Sequence, residues 1–262
     1  MNKTLVAYLF KKVLTEAVNQ ESELTDLFTK DNNMFNERLN YDFEYDGVLI
    51  NIAFRCGATR IVLIFSIHDD YAEYAPTYLY ELENYVVKID NGWKGFGYTA
   101  REVANYKAAE KAGFEKYFNE VFYGGTINEY PFYISKVLDP NEGEVLKYAY
   151  PEFARRFYDN DDAEVDGEIK NEFDYLTGYE QMIYFFIGAG ESEKKTDKLA
   201  DFLEDHDMND THTGNMCLVN GKPIIFDYAG FCGETDYTKH AVRDYGSKYS
   251  RNLAKRYYKN VA

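Results

Sequence analysis

The sequence predicts an α+β protein with a β-rich first lobe and a helix-rich second lobe, which meet near Lys136. Short apolar runs separated by glycine turns fill the first half of the chain, which is typical of an antiparallel sheet. Apolar residues at helical spacing dominate the half that follows Pro140. Within that half, Asn220-Gly221 joins two short apolar runs. This dipeptide predicts a two-residue hairpin turn, because both turn positions need positive φ.

The first lobe is predicted to follow an N-terminal helical extension over residues 1–40 and to occupy residues 41–137. An amphipathic helix is expected over 4–17. Strands are expected over 41–45, 48–54, 61–67, 85–89 and 132–137, with glycine turns at Asp46-Gly47 and around Gly57. A helix is expected from Thr99, as its N-cap, to Gly113, as its stop, and it carries Glu102 and Glu110.

The second lobe is predicted to occupy residues 138–262. Helices are expected over 144–157, 178–187 and 196–204, and the last of them leads directly into the segment 209–230. Two charged stretches stand out in this lobe. Residues 159–168 are strongly acidic, and residues 239–259 are basic and helix-prone, so that we expect a basic C-terminal helix.

Composition limits the class of protein. Hydrophobic residues make up 45% of the chain, as in a folded domain. The three cysteines, Cys56, Cys217 and Cys232, form no CxxC pair, which argues against a disulfide framework and a zinc site. The N-terminal apolar run is too short for a signal peptide or a membrane span, and no later run reaches spanning length. We therefore expect a cytoplasmic protein without a membrane partner.

The net charge is −16, from 45 acidic and 29 basic residues. A general nucleic-acid binder needs basic surface to neutralise phosphates, so direct nucleic-acid binding is not expected. An acidic protein that mimics DNA is a minor alternative. A soluble acidic protein is the commoner explanation of such a charge.

Three polar residues flank the predicted hairpin. Asp210 and Asn215 precede it, and Asp227 follows it. A single Asp or Asn at a turn usually caps the backbone. That explanation does not account for both residues at this interval before a hairpin that ends in a second aspartate. Carboxylate and amide oxygens are ligands that Mg²⁺ prefers, so the hairpin predicts a metal–phosphate site.

Lys88 lies inside the apolar run of residues 85–89. A lysine in such a strand either extends its ammonium group to the surface or pairs with an anion. The sequence alone leaves both possibilities open.

The order of these parts resembles the protein-kinase fold. A glycine turn joins two strands, a lysine lies in the third, and a glutamate lies on the next helix. A linker strand, Asp-x4-Asn, a hairpin and a final aspartate follow. The form Asp210-Thr-His-Thr-Gly-Asn215 is similar to the D-x-H-x-G-N loop of aminoglycoside and choline kinases and of small phage-encoded serine/threonine kinases of the podovirus early-gene type. Its continuation is closer to the phage branch. The resemblance covers about residues 54–231 and is specific only over 210–230.

The resemblance implies a role for each residue of the hairpin segment. Asp210 would orient the attacking hydroxyl and accept its proton. Asn215 and Asp227 would hold Mg²⁺. His212 would be a structural or orienting residue rather than a base or a metal ligand.

The resemblance also implies a nucleotide site in the first lobe. Lys88 would bind the ATP phosphates, held by Glu102 or by Glu110, between which spacing does not decide. Backbone amides around Gly57, together with Thr59, would cover the phosphates. The strand that ends near Val137 would offer backbone groups to adenine.

The chain departs from the family pattern in several places. Met208-Asn209 replaces the His-Arg that usually precedes the catalytic aspartate, so control through a phosphorylated activation loop is not expected. Asp227-Tyr-Ala replaces Asp-Phe-Gly. The chain after Asp227 is too short for the usual peptide-docking helices, so we expect a truncated C-lobe. Thr235 or Tyr237 are candidates for autophosphorylation.

The resemblance therefore implies an ATP- and Mg²⁺-dependent phosphotransferase of the phage serine/threonine kinase type. Its substrates would be host proteins if it is phage-encoded, and it would act in the host cytoplasm. Two alternatives stay open. One is a small-molecule kinase of the aminoglycoside or choline type, and the other is a catalytically weak, kinase-like acidic protein that binds or inhibits a partner.

Overall fold

A computed structural model of the protein describes residues 2–29, 38–56, 59–91, 97–157 and 172–229. The fold mixes α and β structure, as predicted, and contains a six-stranded antiparallel sheet. The described residues form two compact units. One contains the residues up to Ala104 together with Glu120–Val137, and the other contains Asn105–Asn119 and the residues from Leu138 onward. The three domain ranges inferred from the sequence stay a prediction.

Within the described residues, the first unit combines the sheet with four α-helical segments. Its helices are α1 (Lys3–Gln20), α2 (Ser22–Leu27), α3 (Thr77–Tyr80) and the beginning of α4 (Tyr98–Ala112). Its strands are β1 (Arg38–Tyr45), β2 (Val48–Cys56), β3 (Arg60–Ile67), β4 (Tyr85–Asp90), β5 (Val121–Ile127) and β6 (Tyr130–Lys136). They lie in the order β1-β2-β3-β4-β6-β5, and every neighbouring pair is antiparallel.

Alternating apolar residues place one face of this sheet in the core. On β2, Ile50, Ile52 and Phe54 are buried while the residues between them are partly exposed, as the period of two requires. Helix α1 packs its apolar stripe on the sheet, with the Phe10 ring edge-on to Phe65 at 5.1 Å. Each such burial contributes roughly 1.5–3 kcal/mol relative to an exposed side chain. The predicted amphipathic helix and the five predicted strands are confirmed.

Two details of this unit differ from the sequence prediction. Helix α4 begins at Tyr98, so Thr99 lies in its first turn and is not its N-cap. Strand β5 was not predicted, because Gly124 and Gly125 interrupt its apolar run. Gly124 is required by packing, since a Cβ atom there would lie 2.3 Å from the ring of Phe132.

The second unit is mostly helical and ends in a hairpin. Its helices, after the last residues of α4, are α5 (Glu142–Phe157), α6 (Gly178–Gly188) and α7 (Glu193–Asp205). The hairpin consists of β7 (Met216–Val219) and β8 (Lys222–Ile225). All three predicted helices and the hairpin are confirmed. Asn220 and Gly221 have φ of 52° and 73°, as a type I′ turn demands.

An aromatic core holds the helices of the second unit together. Phe153 of α5 packs against Phe173 at 5.7 Å and against Tyr184 of α6 at 5.1 Å. Helix α6 begins with a capping box in which Thr177 and Glu180 satisfy each other's backbone N–H groups. The acidic stretch 159–168 and the basic stretch 239–259 lie outside the described residues. Within the described ranges, every helix is too short or too polar to cross a bilayer.

Candidate functional site

Lys88 does not reach to the surface but forms a buried ion pair. Its Nζ lies 3.2 Å from Oε1 and 3.0 Å from Oε2 of Glu102, on α4. The Glu102 side chain is fully buried, and that of Lys88 is 10% exposed. Of the two glutamates that the sequence left open, Glu102 is therefore the partner, whereas Glu110 is exposed near the end of the helix.

A second cation contacts the same carboxylate. Arg60, the first residue of β3, places its Nη1 2.8 Å from Glu102 Oε2, and its side chain is 8% exposed. Arg60, Glu102 and Lys88 thus form a buried triad, in which one oxygen of Glu102 lies against both cations.

The triad shifts the ionisation of its members. Burial by itself would raise the pKa of Glu102, but Arg60 and Lys88 together outweigh it and hold that pKa below its ordinary value. Burial lowers the pKa of Lys88, and Arg60 adds to this, while Glu102 opposes it. Strongly perturbed groups of this kind are enriched at functional sites.

Asp90 fixes the beginning of α4 to strand β4, two positions after Lys88. Its carboxylate accepts hydrogen bonds from the backbone N–H of Gly97 (2.7 Å) and of Thr99 (3.0 Å) and from the Thr99 hydroxyl (2.6 Å). Burial raises the pKa of Asp90 to about 6, against the opposing effect of these hydrogen bonds. The contacts hold the helix that carries Glu102 beside the strand that carries Lys88.

In the second unit, the end of α7 delivers the chain to Asp210. Asp207 has a φ of 53°, and its N–H donates to the carbonyl of Glu204 at 3.0 Å. The N–H of Met208 donates to the carbonyl of Leu203 at 2.9 Å, which completes a Schellman motif. Because Met208 is also fully buried, the start of the following loop is fixed.

The loop from Asp210 to Asn215 is closed by its own side chains. Asn215 donates its Nδ2 to the carbonyl oxygen of Asp210 at 2.8 Å. The N–H of Gly214 donates to Nδ1 of His212 at 3.1 Å, so the neutral imidazole carries its proton on Nε2. That Nε2 lies 3.5 Å from Oδ1 of Asp210, whose side chain is 21% exposed. The His212 ring is thus adjacent to the Asp210 carboxylate, and its role there stays a prediction.

Neighbouring helices hold this loop from outside. Thr213 donates its hydroxyl to Glu142 Oε1 at 2.7 Å, and its N–H donates to Gln181 Oε1 at 3.2 Å. Gly178, the first residue of α6, lets the loop backbone approach closely. A Cβ atom at this position would lie 3.1 Å from both the Asn209 oxygen and the Thr211 nitrogen.

Asp227 lies at the same end of the hairpin as Asn215. The N–H of Phe226 donates to the Asn215 carbonyl at 2.9 Å, which extends the strand pairing to that end. Asp227 has a φ of 56°, an uncommon conformation for a non-glycine residue. Tyr228 follows it and is fully buried; its hydroxyl donates to the Asn119 carbonyl at 2.7 Å, and its carbonyl accepts from Asn105 Nδ2 at 2.9 Å.

The donors at this end of the hairpin suit Mg²⁺. Because Asn215 donates its Nδ2 to Asp210, its Oδ1 is the end of the amide that can coordinate a cation. Asp227 adds a carboxylate. Mg²⁺ is usually held by one or two carboxylates, with substrate phosphates and water completing its shell. Among the described residues, no group of three or more His, Cys, Asp or Glu side chains is placed to hold a metal without such help.

The structure gives fewer contacts for the other residues that were predicted to bind the nucleotide. Gly57 lies outside the described residues. Thr59 is half-buried, and its carbonyl accepts from the Asn91 N–H at 2.8 Å. The N–H of Val137 donates to the Asn84 carbonyl at 2.9 Å. That N–H is thus engaged within the protein.

Sequence reasoning did not identify Arg60 or Asp90. A signal existed, because each is a charged residue at the end of an apolar strand, and the two are directly paired in the register of β3 and β4. Charged residues at strand ends are ordinarily solvated, so this signal is weak without the structure.

Comparisons of the chain with protein-family models, with curated protein sequences and with solved structures gave no match.

Proposed function

We propose that the protein is an ATP- and Mg²⁺-dependent phosphotransferase that transfers the γ-phosphate to a protein serine or threonine hydroxyl. The buried Lys88–Glu102 pair carries this proposal. A buried ion pair is weak evidence for stability, because apolar residues of similar volume are often neutral or stabilising by about 1–4 kcal/mol in its place. A lysine held in this way on a strand is the phosphate-binding arrangement of kinases.

Lys88 would bind the nucleotide phosphates in this reaction. Its ammonium group has three donors, and Glu102 engages it from one side. Glu102 would fix the position of the ammonium group, so that little side-chain entropy is lost when the phosphates bind.

Asp210 would act on the acceptor hydroxyl. Its carboxylate would orient the hydroxyl and accept its proton as the new O–P bond forms and the bond from the γ-phosphorus to the bridging oxygen breaks, which leaves ADP. His212 would keep the carboxylate oriented through Nε2. Asn215 and Asp227 would hold Mg²⁺, which when bound neutralises charge on the phosphates.

The acceptor class comes from the resemblance of residues 210–221 to phage-encoded protein kinases. It supports protein hydroxyls, and host proteins as the substrates if the chain is phage-encoded. The acidic stretch 159–168, which would bind a cationic acceptor in a small-molecule kinase, lies outside the described residues. The autophosphorylation candidates Thr235 and Tyr237 lie outside them too.

Calorimetric titration with ATP, with and without Mg²⁺, tests the nucleotide part of the proposal. We expect Mg²⁺-dependent binding that Lys88→Met weakens at least about tenfold. A protein that binds no nucleotide would instead be the kinase-like binding protein. Labelled ATP with a host lysate in one reaction, and with a panel of aminoglycosides and choline in another, then identifies the acceptor. Transfer to the small molecules alone would overturn the protein-kinase assignment.

A further inference from the structure

Two buried cations share one oxygen of Glu102. Arg60 Nη1 lies 2.8 Å and Lys88 Nζ 3.0 Å from Oε2. The kinase resemblance accounts for Lys88 and Glu102, but the nucleotide site as proposed above gives no role to Arg60. A buried guanidinium is energetically unfavourable unless its charge is compensated. The buried position of Arg60 therefore indicates a specific role for this side chain.

Contacts with both the sheet and helix α4 hold the Arg60 side chain beside Glu102. Its backbone pairs with Asp90 in the register of β3 and β4. Its guanidinium lies 6.0 Å from the ring centroid of Tyr98, the first residue of α4. The side chain therefore runs from the sheet to the helix that carries Glu102. A planar guanidinium with several donors holds such a bridge better than an ammonium group does.

The proposed reaction makes a demand that Arg60 can meet. When Lys88 shares its positive charge between phosphate and Glu102, its interaction with Glu102 weakens. A fully buried carboxylate that loses its partner is strongly unfavourable, so Glu102 alone would pull Lys88 away from the phosphates. A second cation on the same carboxylate removes that conflict.

We propose that Arg60 is a positioning residue that keeps Glu102 charge-compensated and thereby allows Lys88 to bind the phosphates of ATP. This inference rests on the proposed function. Arg60 acts through Glu102 and not on the nucleotide, which distinguishes it from a second phosphate-binding residue.

A double-mutant cycle between Arg60 and Glu102 tests the proposal. The variants are Arg60→Met, Arg60→Lys, Glu102→Gln and the Arg60→Met/Glu102→Gln double variant, with Arg55→Met, an exposed arginine on β2, as the control. For each, calorimetry gives the Mg²⁺·ATP dissociation constant, and transfer kinetics give KM and kcat separately. Urea unfolding shows which variants are folded.

We expect Arg60→Met to weaken ATP binding and to raise KM about tenfold, with kcat changed less than about threefold. Arg60→Lys should restore most of the affinity, and Arg55→Met should change nothing. In the Glu102→Gln background, where residue 102 carries no negative charge for Arg60 to compensate, Arg60→Met should change affinity by less than about twofold. Should Arg60→Met not fold, the Arg60→Lys variant in both backgrounds gives the same comparison, with an effect of about threefold expected only when Glu102 is present.

Two results would overturn the role of Arg60 and leave the proposed function standing. One is unchanged ATP affinity in a folded Arg60 variant of an enzyme that transfers phosphate. The other is an equal loss in both Glu102 backgrounds, which would make Arg60 a direct phosphate ligand. A wild-type protein that neither binds ATP nor transfers phosphate would overturn both proposals at once.

Discussion

Lys88 on strand β4 contacts both carboxylate oxygens of Glu102 on helix α4, at 3.2 and 3.0 Å, and Arg60 contacts one of them at 2.8 Å. Glu102 therefore has two cationic partners, whereas the described contacts of Lys88 reach a single carboxylate. Removing each of the three charged groups should lower the stability by a different amount. Removal of the shared anion should cost the most, because it leaves two buried cations together.

This asymmetry predicts the order of two stability effects. Glu102→Leu should lower the free energy of unfolding by about 3–5 kcal/mol, the usual cost of breaking a buried pair. Lys88→Met should cost less than about 2 kcal/mol, because Arg60 still compensates Glu102. Urea unfolding at pH 7 measures both values. An equal or larger loss for Lys88→Met would contradict the shared-carboxylate account.

Asp227 should control the Mg²⁺ requirement without controlling the fold. Asparagine tolerates the positive φ of 56°, so Asp227→Asn should keep the melting temperature. The Mg²⁺ concentration for half-maximal transfer should rise at least about tenfold, since the carboxylate ligand is lost. Asp207→Asn is a matched control, with the same substitution at a φ of 53° at the end of α7, and should leave the Mg²⁺ requirement unchanged. Equal Mg²⁺ curves for the two variants would remove Asp227 from the metal site.

Asp90 should give stability a distinctive pH dependence. Its pKa in the folded protein is about 6, above the ordinary value of 3.8, so the folded state binds the proton more tightly than the unfolded state does. Protonation of Asp90 therefore stabilises the folded state, and this contribution is complete below pH 4 and is lost as the pH rises through 6. When the pH is lowered from 7 to 5, the free energy of unfolding of the wild type should rise by about 1 kcal/mol relative to that of Asp90→Asn.

The control for Asp90 is Asp69→Asn, which removes the same charge at an exposed position. The difference between the wild type and this variant, measured at the same pH values, is the reference for the effect of Asp90. A difference for Asp90→Asn that falls as the pH is lowered would mean that the carboxylate is stabilised in its charged form and would contradict the assignment.

Gly178 should be needed for the conformation of the Asp210 loop. A Cβ atom there would press on backbone atoms of Asn209, Thr211 and His212 at 3.1–3.2 Å. Gly178→Ala should therefore cost about 1 kcal/mol and reduce transfer more than it reduces ATP binding. Gly143→Ala, inside helix α5 and 3.4 Å from a single side-chain atom, should instead stabilise by about 0.5–1 kcal/mol. Equal activity of the two variants would show that the loop tolerates displacement.

The sequence predicted the parts of the fold whose signals are local. The hairpin at Asn220-Gly221 and the apolar periodicity of α1 depend on neighbouring residues and were correct. Strand β5 was missed because its glycines serve a distant partner, Phe132. The start of α4 was predicted wrongly, because the oxygen that accepts hydrogen bonds from Thr99 belongs to the carboxylate of Asp90, nine positions earlier in the chain.

The candidate site likewise has features that follow from local sequence and features that depend on the tertiary structure. The spacing of Asp210, Asn215 and Asp227 was visible in the sequence, because the hairpin signal at Asn220-Gly221 lies between Asn215 and Asp227 and places them at the same end of the hairpin. The choice between Glu102 and Glu110 depended on which turn of α4 lies beside β4, which spacing alone does not decide. Arg60 was missed because only the tertiary structure brings the first residue of β3 to Glu102, more than forty positions later.

Transfer of labelled γ-phosphate is the most direct test of the central claim. Wild-type protein with labelled ATP, Mg²⁺ and a bacterial lysate should label proteins, and Asp210→Asn should reduce the rate by about 10²–10⁴-fold while ATP affinity stays the same. Asp201→Asn, exposed on α7, should label proteins like the wild type. Absence of transfer by the wild type, or equal transfer by Asp210→Asn, would contradict the assignment of this protein as a phosphotransferase.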